Sequence, residues 1–195
     1  HAWFALAESG TTLLDSSEAG LLAAQGQNLY LKRKTDRAPL TDQLISDTGQ
    51  PAILLADGRV AAILKTESGN QLALLTVLNP YTDPNPVTLQ LVATAKPPQI
   101  LYSSRDPNHL YWGAGECDDL GCPVQEAFAT TLSDLTSTAL SYKGTPAFAA
   151  DGKMAFLDRD AKGENQLTLG NGELPASRAA LRAAPRWAGC CLPSR

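Results

Sequence analysis

Residues 51–75 read PAILLADGRVAAILKTESGNQLALL, and residues 146–169 read PAFAADGKMAFLDRDAKGENQLTL. Each opens on Pro, runs through a short apolar stretch and reaches Asp-Gly followed by a base. A second apolar stretch, a polar loop and Gln-Leu complete the pattern. Asp57-Gly58 and Asp151-Gly152 stand 94 residues apart, as do Gly69 and Gly163. Halfway between, Pro98 opens PQILYSSRDPNHLYWGAG, 47 residues after Pro51 and 48 before Pro146. There Ser104-Arg105-Asp106-Pro107-Asn108 replaces Asp-Gly. One period earlier lies FALAESGTTLLD at Phe4, with Ser9-Gly10 in the turn position. The chain therefore repeats every 47–48 residues, with four copies beginning near 4, 51, 98 and 146.

Within a copy the apolar stretches are five to seven residues long, and turn residues bound them. The second copy offers Ala52–Ala56, Val60–Lys65, Gln71–Val77 and Val87–Ala93. The third offers Gln99–Ser103, His109–Gly113, Gln125–Thr131 and Thr138–Tyr142. Such lengths, with Leu, Ile, Val and Tyr abundant, favour strands over helices. Asp-Gly between two of them predicts a type I′ hairpin, in which both central residues take positive φ. In the first copy Gln27–Lys32 reads as a strand and Gly20–Gln25 as a strand or a helical turn. Four strands in about 47 residues is the spacing of a β-propeller blade. The expected fold is all-β, with about four propeller-type blades of four strands near 4–47, 51–93, 98–142 and 146–175. The last blade is expected to be incomplete, and 176–195, with four Arg and no acid, reads as a tail.

Composition narrows the function classes. The 195 residues suit one domain or at most two. With 44 % hydrophobic and 18 % charged residues, the chain is built to bury a core. No stretch approaches the roughly 18 unbroken apolar residues of a membrane-spanning helix. Sixteen basic against twenty acidic side chains give a net charge of −4, and Lys32-Arg33-Lys34 is the one basic run. A nucleic-acid partner is therefore not expected, because a phosphate backbone demands clustered positive charge. The chain opens on His1 rather than Met, without a leader pattern, as a processed form or a piece of a longer chain does.

The run Pro39-Leu40-Thr41, a spacer, then Pro51, Asp57-Gly58-Arg59, Ala61 and Ile63 is similar to the repeat of TolB-type β-propellers. Pro146 through Phe156 matches the same pattern. The resemblance covers about 150 residues; the family's Ser-Pro before Asp-Gly is missing, and the third copy lacks Asp-Gly. It implies a propeller-type fold. In that family the motif sets turns and carries no chemistry, so no function follows from it.

Candidate sites are few. Cys117 and Cys122 frame the loop Cys-Asp-Asp-Leu-Gly-Cys, either as a disulfide, which belongs to an oxidising compartment, or as two free thiols. A terminal amine, the imidazole of His1 and the second His, His109, are the ligand types of a copper brace. Asp158, Asp160 and Glu164 lie in a loop with Gly163, an arrangement calcium loops use; an ordinary solvated hairpin has the same residues. Alternation puts Tyr111 and Trp112 on opposite faces of one strand, so that one is expected in the core and the other free to anchor a partner. The loop Asn79–Pro86 carries Tyr81, Pro84 and Pro86 and is stiffened by three prolines, which suits docking at low entropic cost. No catalytic residue and no cofactor is expected.

These observations lead to a non-catalytic binding or scaffolding module that meets other protein chains in a periplasmic or secreted assembly. The alternatives are an enzyme and a propeller that binds a small molecule or glycan.

Overall fold

The computed structural model describes residues 10–17, 20–32, 37–40, 43–47, 50–78, 87–104, 106–115, 126–140, 145–148, 153–159, 165–170 and 177–180. They form four antiparallel sheets of four strands each, and no helix occurs among them. The first sheet holds β1 (Thr11–Ser17), β2 (Gly20–Gln25), β3 (Asn28–Lys32) and β4 (Arg37–Pro39). β5 (Ala52–Leu54), β6 (Val60–Thr66), β7 (Gly69–Val77) and β8 (Val87–Val92) make the second. The third contains β9 (Ile100–Tyr102), β10 (His109–Ala114), β11 (Glu126–Thr131) and β12 (Ser137–Ala139). β13 (Thr145–Phe148), β14 (Met154–Arg159), β15 (Asn165–Gly170) and β16 (Ser177–Ala180) make the fourth. In every sheet the spatial order is the chain order, so each is a meander joined by hairpins.

The sheets pack face on face in sequence. Val60, Ala62, Leu64, Ala73 and Leu75 of the second sheet join Leu22, Leu29 and Leu31 of the first in one apolar cluster. Ala61, Ile63, Leu72 and Leu74 point the other way and join Leu101, Leu110, Trp112 and Phe128 of the third. Tyr102, Tyr111 and Ala129 then meet Phe148 and Met154 of the fourth. This sandwiching explains why Val60–Leu64 is an unbroken apolar run: every residue of it is fully buried, and strands covered on both faces do not alternate. Among the described residues, no apolar cluster joins the fourth sheet to the first.

Polar ties run along the first strands of the sheets. Gln50 donates its side-chain amide to the carbonyls of Leu14 and Ala52, at 2.8 Å each. Its own carbonyl accepts the amide of Leu101 at 3.0 Å. Residues 43–47 cross between the first two sheets: the Ile45 amide donates to the Gln27 carbonyl at 2.9 Å, and Ile45 bridges Leu64.

Four expectations need correction. The hairpin at Asp57-Gly58 is not type I′, because only Gly58 has positive φ, +85°. The Gly58 amide donates to the Leu55 carbonyl (3.0 Å) and the Leu55 amide to that of Arg59 (2.8 Å). This is a three-residue loop, a type I turn closed by a left-handed glycine. The first sheet keeps four strands but shifts phase: β1 starts directly after Gly10, and its hairpins fall after Ser17 and at Gly26-Gln27. The strand expected at Phe4 lies outside the described residues. The fourth sheet is not short of a strand, since Ser177–Ala180, assigned above to a tail, pairs with β15. Finally, Tyr111 and Trp112 are both buried, because the third sheet is covered on both faces.

Candidate functional site

The chain Asp106-Pro107-Asn108-His109-Leu110-Tyr111 turns out of β9 and into β10. Pro107 removes one backbone donor and fixes φ, which suits the turn. The Asp106 amide donates to Ser104 Oγ at 3.1 Å, and the Asn108 amide donates back to Asp106 Oδ1 at 2.9 Å, closing an Asx turn. Alternation along β10 then places His109 and Tyr111 on one face. Both reach the same carboxylate oxygen: Asp106 Oδ2 lies 2.9 Å from His109 Nδ1 and accepts the Tyr111 hydroxyl at 2.8 Å.

The electrostatics follow from this contact. Partial burial on its own raises the Asp106 pKa, but the hydrogen bonds from Asn108, Tyr111 and His109, with the attraction of His109, hold it below the ordinary range. Burial, then the Asp106 contact, pushes the Tyr111 phenol well up, so it stays protonated and donating. With Nδ1 facing the carboxylate, the other ring nitrogen of His109 is turned away from it, on a half-exposed side chain. The Tyr111 ring packs on Phe148 of the fourth sheet, centroids 4.5 Å apart. Directly across the strand pair stands Tyr102, whose buried hydroxyl finds no hydrogen-bond partner among the described residues.

A second polar group lies on the first strands. Asp15, at a register shift in β1, accepts the Ser16 amide at 2.8 Å and the Leu54 amide of β5 at 2.9 Å. Ser103, just past β9, donates to the same Asp15 oxygen at 3.4 Å. One carboxylate thus touches three sheets.

Chemically, these groups hold structure. Asp106 serves three donors, and Asp15 does the same. Among the described residues no group of three His, Cys, Asp or Glu is placed to hold a metal ion. No helix among them is long and apolar enough to cross a membrane. No protein-family model, curated protein or solved structure matches this chain.

Of the residues singled out from sequence, His109 and Tyr111 come together here, on Asp106. Trp112 goes elsewhere: fully buried against the second sheet, it stacks on Phe128 with centroids 4.3 Å apart and donates its indole N–H to Thr130 Oγ1 at 2.9 Å. A partner-anchoring role for Trp112 therefore has no exposed surface to act through. Asp158 belongs to β14, whereas Asp160 and Glu164 lie outside the described residues. His1, Tyr81, Pro84, Pro86, Cys117 and Cys122 lie outside them as well. Asp106 and Asp15 were missed. For Asp106 the signal was present, an Asp three and five residues ahead of His and Tyr at alternating strand positions. Asp15 had none, since it acts across sheets.

Proposed function

We propose that the chain is a set of β-propeller-type blades, resembling TolB-type repeats, that serves as a non-catalytic scaffold for other protein chains outside the cytoplasm. One observation supports a structural role for these groups: among the described residues, the carboxylates on which several donors converge are engaged within the fold. Asp15 and Gln50 tie the sheets, and Asp106 is taken up by Asn108, His109 and Tyr111. The sequence of Cys117 and Cys122 supports the oxidising compartment. A ligand-binding alternative has one observation in its favour, the half-exposed His109 ring with a nitrogen turned from Asp106.

The deciding measurement is the native, non-reduced mass of the protein purified gently from its source. A stoichiometric complex whose mass requires other chains is expected, and His109→Ala leaves it intact. A lone species at 20.6 kDa overturns the scaffold. Loss of a bound small molecule in His109→Ala turns the reading to ligand binding.

A further inference from the structure

The outer strands of the four sheets are unequal. An outer strand presents unpaired N–H and C=O groups, and proteins blunt such edges by shortness, proline or charge. β4 is three residues long and contains Arg37 and Pro39. β12 is three residues long. β16 carries Arg178. β8 has none of these devices: its six residues, Val-Thr-Leu-Gln-Leu-Val, include no charge and no proline. Among the described residues β8 pairs only with β7, and Thr88 through Leu91 are all exposed. Leu89 and Leu91 share one face and are 40 % and 52 % exposed. That face is continuous with the core between the first two sheets, for Val87 beside them packs against it.

We infer that β8 is a self-pairing edge, which joins two copies of this chain by antiparallel extension of the second sheet. A second copy is the occupant because the strand complements itself. Centred on Gln90, an antiparallel pair sets Leu89 opposite the other copy's Leu91, and Leu91 opposite its Leu89. Four leucines then form one apolar ladder, Gln90 faces its own counterpart, and Thr88 faces Val92. No charge opposes another. Such a contact is isologous and closes on itself as a dimer rather than growing into a fibre. Main-chain hydrogen bonds supply the attraction and the leucine ladder the register. A six-residue edge buries less than the roughly 800 Å² per partner of a standard interface, so the dimer dissociates on dilution.

This goes beyond the scaffold reading, which concerns other chains, and it can fail alone. The test is sedimentation equilibrium of the purified full chain. The weight-average mass is expected to climb from 20.6 kDa toward twice that value with concentration. The double variant Leu89→Lys/Leu91→Lys, which sets like charges opposite each other, is expected to weaken association at least ~10-fold with the fold intact. Independently of any variant, the amides of β8 that face away from β7 should exchange slowly at high concentration and quickly at low. A wild-type chain that stays at 20.6 kDa, or association that survives the double variant, overturns the inference. A monomer in that experiment leaves a complex with other chains untouched, whereas a homodimer as the sole native species removes that complex and keeps the edge.

Discussion

At the scale of single residues, stability rests on a few carboxylates with several donors each. Asp15 is the clearest: removing its side chain leaves the Leu54 amide, in a buried residue, without its acceptor. Such a loss costs about 1–3 kcal/mol. Asp15→Ala should therefore lower the unfolding free energy measured by urea denaturation by that amount, whereas Asp15→Asn, which keeps an acceptor oxygen, should recover most of it. Asp106 is testable by pH. Its folded pKa is depressed, so its contribution is fully present above the ordinary 3.8 and is lost as pH falls through the lower folded value. The stability gap between wild type and Asp106→Asn is expected to shrink below pH 3.8; a gap independent of pH in that range refutes the assignment. Tyr102 predicts the opposite sign. Its hydroxyl is buried without a partner among the described residues, so Tyr102→Phe should hold stability or raise it by up to about 1 kcal/mol. A clear drop in melting temperature would show that the hydroxyl is bonded.

At the scale of elements, much was legible because strand length and turn residues are local properties. Val60–Thr66 and His109–Ala114 lie within a residue of their expected bounds. What escaped was set by neighbours in space. Asp-Gly is compatible with more than one hairpin, and the register of β5 against β6 selected the three-residue loop. Alternation suggested one buried residue of Tyr111 and Trp112, but a sheet covered on both faces buries both. Gly20 is another case that sequence left mute. It has φ of +149°, and a Cβ placed on it would stand 2.5 Å from the backbone oxygen of Lys32. Since backbone cannot swing aside as a side chain can, Gly20→Ala should cost more than about 2 kcal/mol by urea denaturation. Gly26→Ala, also at positive φ but with open space around the Cβ, should cost less, on the order of 1 kcal/mol. Equal losses at the two sites would mean that the close approach to Lys32 does not matter.

At the scale of the molecule, the 47-residue period and the order of the sheets are the same fact. Each copy makes one sheet, and one sheet cannot bury two faces alone, so it stacks on its neighbours in the chain. The candidate site was less legible for the same reason: Asp15 depends on three copies at once, and no spacing within one copy announces it. This nearest-neighbour construction has a testable consequence. Ile63 and Leu64 are adjacent and fully buried, but Ile63 faces the third sheet and Leu64 the first. Truncating either to Ala should cost about 2–5 kcal/mol, the usual range for a core cavity. The losses should differ in place. Under native conditions, Ile63→Ala is expected to speed amide exchange in β9–β11 more than in β1–β3, and Leu64→Ala to do the reverse. If both variants instead speed exchange uniformly in every sheet, the stack opens as one cooperative unit, and coupling between sheets exceeds the stability of each seam.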